Sequence, residues 1–290
     1  ASDFSDSTGE GQLARLFALY LEKKGNKIHL INKINQNNLL DHKYISPFIG
    51  IFYCWKFYLK GKKVAYINYL PLWNFIIFIF LPANTTIGPI TGGALFNNKK
   101  LLNYFIRKYL FTILYKISEF FLKVRSFNKI FSTDLLKQHL SKEIIKESEF
   151  NFVFKSFSPK KKNKKKLDFL IYYRKHKNKE IFFPLNFIKK LIRYGFKIHI
   201  IGDTLNISAV KNYGILTHKE VSKLQSISKY TIVSGENPYS FFIIECLSNH
   251  MKIIINKKER NKIKFNKEKF IELDFNKDSD FKKLKIIIKK

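Results

Sequence analysis

Short apolar runs alternate with longer helical patterns along nearly the whole chain, and this alternation restricts the fold more than any other feature. In the first half, the runs of strand length are KIHLIN (27–32), VAYINYL (64–70), TTIGPI (85–90), NKIFST (128–133) and FNFVF (150–154). Helical periodicity fills the gaps near 10–24, 44–59, 72–80 and 99–124. Such alternation predicts α/β units built on parallel sheets.

A lysine-rich segment interrupts this pattern and divides the chain. Lys160 to Lys166, within SPKKKNKKKLD (158–168), contains six lysines in seven positions. Like charges at this density repel one another and stay solvated, so 158–166 is predicted to be a linker or hinge. A nucleic-acid patch or a localisation signal is the alternative interpretation. The predicted domains are therefore 1–157 and 167–290.

The alternation restarts after the linker and predicts a second α/β domain of similar size. Its predicted strands are LDFLIYY (167–173), KIHIIG (197–202), YTIVSG (230–235), KIIIN (252–256) and FIELDF (270–275). Helices are predicted at 181–194, 219–227 and 240–249. We expect two Rossmann-like domains facing each other across a cleft, with ligands beyond the carboxyl ends of the strands.

Composition indicates a folded protein with an unusual charge balance. The 290 residues carry a formal net charge of +32 and 46% hydrophobic residues, which is ample material for two cores. A charge of this size is typical of partners such as nucleic acid, anionic membranes or phosphorylated substrates. Only six of the 54 basic residues are Arg, however, and Lys, Asn, Ile and Phe are raised together, as in AT-rich genomes. Attraction to anionic lipid remains an expectation.

Cysteine use and hydropathy indicate a cytoplasmic protein. Cys54 and Cys246 form no disulfide or metal pattern, and both are predicted to be small buried residues. Residues 1–12 are polar and acidic, unlike a signal peptide, and the apolar run Leu70 to Leu81 is too short to span a membrane. We expect a cytoplasmic location, with the inner face of the cell membrane as a peripheral alternative.

Two glycine-rich segments in the first half have the composition of ligand-binding loops. STGEGQLARLFALYL (7–21) places Gly9 and Gly11 before an amphipathic helix, where free amides favour anions. Almost nothing precedes this loop, so we expect the first strand of the domain to be missing and Ala1 to be a truncation point. IGPITGG (87–93) offers Gly88, Thr91 and Gly92 for an acceptor or phosphate, or forms a plain strand-to-helix turn.

In the second half, charged residues follow the predicted strands. Arg174 ends the strand of IYYRKHKNKE (171–180), and Lys179 follows five positions later. The forked donors of Arg suit a diphosphate, and Lys adds a mobile charge. Thr217 and Glu220 form a capping box, which fixes the start of a helix.

SGENPYSFFIIECLSNHMKIIIN (234–256) keeps two carboxylates, Glu236 and Glu245, in a lysine-rich chain. Glu236 follows a strand, and a helix then begins near Ser240 and Phe241, whose amides can meet a phosphate. A carboxylate at Glu245 can accept both hydroxyl hydrogen bonds of a ribose diol. The alternative is that Glu245 complements a helix dipole and Glu236 is solvated.

Together these segments resemble the GT-B glycosyltransferases, in particular the group that contains sucrose and glycogen synthases and many bacterial surface-polysaccharide transferases. The resemblance covers roughly 167–256. YYRKHKNK is similar to the Gly-Arg…Lys element of that family, IIGD to its Gly-ending strand, and GENPYSFFIIECLSN to its Glu-x-x-Gly…Glu-Ala segment. STGEG matches the first Gly-rich loop more loosely.

The resemblance implies a retaining, metal-independent transfer of a sugar from a nucleotide-sugar to a saccharide or lipid-linked acceptor in surface polysaccharide synthesis. It implies that Arg174 and Lys179 bind the donor diphosphate and that Glu245 binds the ribose. Glu236 would lie beside the donor sugar, and the amides of Ser240 and Phe241 would touch the phosphate. The family needs no cofactor beyond this substrate, because positive charge and helix-terminus amides stabilise the departing nucleoside diphosphate.

The chain departs from the family pattern at several positions. The Glu236–Glu245 spacing is one residue longer than usual, so Asn237 is an alternative for the first position. Tyr173 replaces the glycine before the arginine, and Ser240 replaces another glycine. The family's histidine has no counterpart near YINYLPLWN (66–74). DSD (278–280) imitates a metal motif of a different glycosyltransferase fold, but its place near the chain end predicts a solvated turn.

Three other functions are compatible with the sequence: an inactive GT-B homologue, a basic nucleic-acid-binding protein, and a peripheral membrane scaffold. A nucleic-acid-binding protein would gather Arg and aromatic residues on one surface or carry a recognisable module, and neither is evident. The donor sugar, the acceptor and the linkage are not encoded in any motif of the sequence.

Overall fold

The computed structural model describes residues 4, 9–31, 45–92, 105–176, 180, 182–234 and 237–289. The chain divides into two compact units, Ala1–Ser156 and Phe157–Lys290. Each unit contains a parallel β-sheet with helices in its connections, so the predicted α/β class is confirmed.

Unit 1 is built on a four-stranded sheet in the order β1-β2-β3-β4, with all pairs parallel. Its strands are β1 (Ala65–Pro71), β2 (Thr86–Thr91), β3 (Asn128–Phe131) and β4 (Ser148–Glu149). Its α-helices are α1 (Gly9–Lys23), α2 (Ser46–Tyr58), α3 (Phe75–Phe80), α4 (Phe111–Val124), α5 (Lys142–Lys146) and α6 (Phe152–Lys155). A π-helical turn (Ile106–Leu110) leads into α4, and a 3₁₀ helix spans Leu135–His139.

The core of unit 1 joins the sheet to the inner faces of α2, α3 and α4. Leu70, Ile87 and Phe131 from the strands are fully buried and pack in one cluster with Phe78 and Leu122 from the helices. On the other side, α1 lies close to β2, because a Cβ atom on Gly88 would stand 3.0 Å from Cε2 of Phe17 and 2.7 Å from the Ile130 carbonyl oxygen. Glycine is thus required in β2 by the close approach of α1 and β3.

Two predicted strands of the first half are wrong. The described part of KIHLIN (27–31) forms no strand, and its apolar residues Leu30 and Ile31 are exposed, so it has no buried face to hold it in a sheet. FNFVF (150–154) lies mostly in the helix α6, which follows Asn151 in the left-handed conformation (φ 60°). Phe152 and Val153 are buried, and a short apolar run of this kind fits a helix as well as a strand.

Unit 2 is built on a six-stranded parallel sheet in the order β10-β9-β8-β5-β6-β7. Its strands are β5 (Leu167–Tyr173), β6 (Ile198–Gly202), β7 (Val210–Asn212), β8 (Ser228–Ile232), β9 (Lys252–Asn256) and β10 (Phe270–Leu273). Its α-helices are α7 (Leu185–Arg193), α8 (His218–Ile227), α9 (Phe241–Ser248) and α10 (Asp278–Lys289), with 3₁₀ helices at Lys257–Lys262 and Lys267–Lys269. Counted along the chain, this is the order 3-2-1-4-5-6 of doubly wound nucleotide-binding sheets.

Local sequence signals explain where these helices begin and which face they bury. The predicted capping box is confirmed: the Thr217 amide donates to Glu220 Oε2 at 2.8 Å, and the Glu220 amide donates to Thr217 Oγ1 at 3.4 Å. In α7, Phe187, Ile188 and Leu191 are buried at helical spacing, so one face of this helix packs on the sheet.

The lysine-rich segment 158–166 contains neither helix nor strand, and most of its side chains are exposed. It is nevertheless held against unit 2. The Lys160 amide donates to the Ser248 carbonyl at 2.8 Å, the Lys166 amide donates to the Ile227 carbonyl at 2.7 Å, and Lys160 Nζ donates to Ser222 Oγ at 2.6 Å. The segment therefore follows the carboxyl ends of α8 and α9.

Candidate functional site in unit 2

The strand order of unit 2 creates one place where a ligand is expected. β5 and β8 are adjacent and parallel, with Leu167 opposite Ser228 and Phe169 opposite Tyr230. From β5 the chain continues towards β6 on one side, and from β8 it continues towards β9 on the other. The two connections diverge beyond the carboxyl ends of these strands, and in doubly wound sheets such a switch point is where ligands bind.

Arg174 lies at this edge, directly after the last residue of β5. Its side chain is exposed, and its guanidinium makes no hydrogen bond or ion pair with any residue that the structure describes. The residue before it is fixed, because Tyr173 is buried and its hydroxyl donates to Glu180 Oε1 at 2.8 Å. Burial, followed by the Glu180 carboxylate, raises the pKa of Tyr173, which keeps this hydroxyl a donor.

The turn after β6 holds the backbone on the other side of Arg174. The Lys175 amide donates to Asp203 Oδ2 at 2.6 Å, and the Asp203 amide donates to the Tyr173 carbonyl at 3.0 Å. Gly202 makes this approach possible: its φ is +97°, and a Cβ atom there would stand 2.3 Å from the Tyr173 carbonyl oxygen. Asp203 is thus a positioning residue whose role the sequence did not indicate, although IIGD was recognised as a strand end.

On the β8 side, the turn before α9 is closed by Asn237 and Tyr239. Asn237 Oδ1 accepts from the Tyr239 amide at 2.9 Å, and Tyr239 Oη is held by the Phe265 carbonyl at 2.7 Å and the Lys264 amide at 2.8 Å. Ser240 is the N-cap of α9, but its side chain makes no capping hydrogen bond. The first turn of α9, which begins at Phe241, therefore does not use this hydroxyl.

Glu245 lies in α9 and is almost completely buried, with 3% of its surface exposed. Its Oε1 contacts Nε2 of His218, the first residue of α8. Its Oε2 accepts no hydrogen bond from the described parts of the chain. The sequence did not indicate the His218 contact, because the two residues are far apart in the chain and meet only through the packing of α8 on α9.

The ring of Tyr172, at the end of β5, packs against the start of α9. Its centroid is 5.7 Å from that of Phe242 in the first turn of α9, and the Tyr172 side chain is 46% exposed. The structure therefore brings the end of β5, which precedes Arg174, close to the start of α9. Glu236 and Lys179, which were predicted to bind the donor sugar and the diphosphate, lie outside the described residues, and their roles stay predictions.

Behind the site, Lys165 joins the carboxyl ends of α8 and α9. Its Nζ donates to the carbonyls of Asn249 at 2.7 Å and Ser226 at 3.1 Å. Burial lowers the pKa of this lysine. Asn249 Nδ2 also donates a hydrogen bond to Gln225 Oε1 at 3.1 Å, which links the end of α9 to α8. Lys165 is thus an exception to the prediction that the lysine run is solvated.

We expect Lys165→Met to destabilise unit 2 by about 1–2 kcal/mol, because the change removes charge-assisted hydrogen bonds at two helix ends. Urea unfolding monitored by circular dichroism measures the effect. Lys164→Met is the matched control, since Lys164 is the exposed neighbour of Lys165. Equal stabilities of the two variants would contradict a structural role for Lys165.

The residues of both predicted glycine-rich loops lie in unit 1: Gly9 and Gly11 were predicted to bind the donor, and Gly88, Thr91 and Gly92 the acceptor. Gly9 and Gly11 are the first and third residues of α1, so the described part of the predicted loop is helical. Gly88 lies inside β2 instead of in a turn, since the strand continues to Thr91. Thr91 is buried, and its Oγ1 has no hydrogen-bond partner among the described residues. Gly92 follows at φ +119°.

The DSD segment is not a solvated turn. Asp278 and Asp280 lie in the first turn of α10, and Asp280 is buried, with 4% of its surface exposed. Its Oδ2 accepts from the Asp274 amide at 2.8 Å and lies 3.7 Å from Lys257 Nζ. The segment therefore fixes the start of α10. Among the described residues, no group of three or more His, Cys, Asp or Glu side chains is arranged to hold a metal ion.

Comparison of the chain with protein-family models and with curated protein sequences found no match.

Proposed function

We propose that the chain is a glycosyltransferase that transfers a sugar from a nucleotide-sugar donor to a saccharide or lipid-linked acceptor. The GT-B fold, a retaining course and independence from metal ions are parts of the same proposal. The observation that carries it is the position of Arg174, an exposed guanidinium without a described partner, at the switch point of a doubly wound sheet.

The chemistry of this site suits a nucleoside diphosphate. The fork of Arg174 can donate two parallel hydrogen bonds to phosphate oxygens, and the amides at the start of α9 add fixed partial charges. Glu245 Oε2 is an acceptor for ribose hydroxyls, while the contact with His218 restrains Oε1. The exposed ring of Tyr172 offers an apolar face close to Phe242.

These groups would act mainly on the leaving group. When the bond between the anomeric carbon and the phosphate oxygen breaks, negative charge accumulates on the diphosphate. Donors already fixed at that place stabilise this charge without reorganisation. Arg174, with Lys179 as a predicted second cation, would supply this effect, and Glu236 or Asn237 would lie beside the donor sugar.

Ligand-dependent thermal unfolding tests the proposal. We expect at least one member of a panel of nucleoside diphosphates and nucleotide-sugars to raise the melting temperature, since a ligand at a hundred times its Kd stabilises the folded state by about 2.7 kcal/mol. The same mixtures are assayed for hydrolysis of the nucleotide-sugar. A chain that is retained on nucleic acid but shows neither stabilisation nor hydrolysis with any member would be a binding protein without this activity.

A further inference from the structure

Unit 1 exposes an unusual amount of apolar surface on one group of helices. Among the described residues, twenty-one large hydrophobic side chains are exposed, and fourteen of them lie between residues 45 and 124. They belong mainly to α2, α3 and α4 with its leading π-helical turn. Contiguous exposed apolar surface of this kind marks an interaction site in a folded protein.

The longest apolar stripe runs along the π-helical turn and α4. Its members recur at spacings of three, four and seven residues, which places them on one helix face; they are Ile106, Tyr109, Leu110, Ile113, Phe120 and Val124. The opposite face, with Tyr115, Ser118 and Leu122, is buried. This helix is therefore apolar on two sides, and the protein core covers only one of them.

The neighbouring helices repeat this arrangement. In α2, Phe48 and Phe52 are exposed while Ile51 and Cys54 are buried, and Leu59 continues the exposed stripe beyond the helix end. In α3, Ile76 and Phe80 are exposed while Ile77 and Phe78 are buried. The buried residues of all three helices belong to the same core cluster. The exposed stripes consequently face away from one common core.

Direct contacts show that these helices are adjacent. The rings of Phe48 and Phe80 lie 6.5 Å apart, and Trp55 Nε1 donates to the Phe80 carbonyl at 2.7 Å. Between α3 and α4, Trp73 stacks on Phe111 with ring centroids 5.7 Å apart, and Arg125 donates to the Ile79 carbonyl at 2.9 Å. We call this surface of α2, α3 and α4 the aromatic face.

The part of the sequence that contains the aromatic face is rich in positive charge. Residues 42–118 contain ten Lys and Arg and no Asp or Glu. Glu119, which ends this acid-free stretch, is itself buried and accepts from Lys116 Nζ at 3.0 Å. Beside Phe52 and Leu59, four lysines are exposed and form no ion pair with described residues; they are Lys56, Lys60, Lys62 and Lys63.

We propose that the aromatic face binds the surface of an anionic lipid bilayer, with its apolar stripes inserted at the boundary between headgroups and acyl chains. Apolar stripes flanked by lysine are the pattern of proteins that lie on a membrane. Lysines near an anionic surface add electrostatic attraction. A second copy of the chain would bring two positive surfaces together, and nucleic acid offers no acyl chains for Ile, Leu and Val.

Binding at this depth requires no transmembrane segment. Within the described ranges, no helix is both long and apolar enough to cross a bilayer. The proposal concerns unit 1 alone and does not depend on the nucleotide site of unit 2.

Tryptophan fluorescence tests the proposal on the unaltered protein. The chain contains two Trp, and both lie beside the aromatic face: Trp73, just before α3, is 40% exposed, and Trp55 in α2 is partly buried next to Phe80. With vesicles of phosphatidylcholine and about one-third phosphatidylglycerol, we expect a blue shift and quenching by lipids brominated in the acyl chain. Vesicles of phosphatidylcholine alone should bind more weakly, and added salt should weaken binding to the anionic vesicles. Absence of binding to the anionic vesicles, or equal binding to both kinds, would overturn the proposal.

A matched pair of substitutions locates the surface. Ile113 in α4 and Ile286 in α10 have the same side chain and nearly the same exposure, 59% and 60%. We expect Ile113→Glu to lower the vesicle partition coefficient about tenfold or more, whereas Ile286→Glu leaves it unchanged. Equal partition of the two variants would overturn the proposal. Size-exclusion chromatography tests a second copy of the chain as the partner. If the unaltered protein is an oligomer that Ile113→Glu dissociates, and if it does not bind vesicles, the face binds a second copy and the proposal is overturned.

Discussion

Replacing Arg174 by Ala is expected to raise the Kd of a nucleoside diphosphate about 100-fold, which corresponds to the loss of about 2.7 kcal/mol of charge-assisted hydrogen bonding. Arg174 has no described partner, so its removal leaves no buried group unsatisfied. The melting temperature without ligand should therefore be unchanged. Isothermal titration calorimetry with the nucleotide that stabilises the unaltered protein measures the effect.

Arg193→Ala is the matched control, since Arg193 is an exposed arginine of the same unit in the last turn of α7. It removes the same charge but lies at a helix end instead of the switch point of the sheet. Affinities that fall equally in both variants would show a general electrostatic effect and no diphosphate site at Arg174. Glu245→Gln tests the proposed ribose contact apart from the diphosphate contact, because it keeps the size of the side chain but removes its charge.

Replacing Gly202 by Ala is expected to destabilise unit 2 by about 3 kcal/mol or more. The new Cβ atom would stand 2.3 Å from the Tyr173 carbonyl oxygen, and that oxygen belongs to the backbone of β5, which is held by β6 and β8. Relief of this contact would also break the hydrogen bond from the Asp203 amide. Urea unfolding and thermal unfolding both report the change.

Gly195→Ala separates the cost of the steric contact at Gly202 from the cost of a positive φ. Gly195 also has a positive φ, +82°, but no atom lies within 4 Å of its ideal Cβ position. Its substitution should cost only the unfavourable backbone conformation, about 1 kcal/mol. If both variants lost the same stability, the close approach at Gly202 would have no energetic consequence. Because Gly202 lies beside the turn that holds Arg174, we also expect weaker nucleotide binding in any Gly202→Ala protein that folds.

The second half of the fold could be predicted from sequence because its local signals agree with its tertiary structure. LDFLIYY, KIHIIG and KIIIN become strands within one residue of the predicted bounds. The Thr217–Glu220 capping box sets the start of α8 as expected. Strand order also follows in part from the general preference for right-handed crossovers, which favours doubly wound sheets.

The fold of the first half was harder to predict because its apolar residues do not alternate clearly between core and solvent. The helix α6 and the unpaired segment 27–31 both have the composition of strands, and packing decides between the alternatives. The glycines of IGPITGG and STGEG were interpreted as loop residues, although Gly88 is required inside a strand and Gly11 lies in a helix. Composition alone does not distinguish a flexible glycine from one in a crowded position.

The candidate site was predictable where it depends on strand ends and was not where it depends on contacts between helices. Arg174, Asn237 and Ser240 follow strands of a parallel sheet, so their common edge could be predicted. The partner of Glu245 could not, because His218 reaches it only through the packing of α8 on α9. The sequence likewise gives no sign that Lys165 differs from the lysines beside it.

The central position of β5 affects how unit 2 folds during synthesis on the ribosome. β5 is the first strand of the unit along the chain, but one of its two neighbours is β8, so Leu167 pairs with Ser228, sixty-one residues later. During synthesis the ribosome must release most of the unit before this innermost ladder can close, and early chains expose an open apolar edge. A nascent chain stalled before residue 228 should therefore be a substrate for chaperones, while β6 and β7 can already pair with β5.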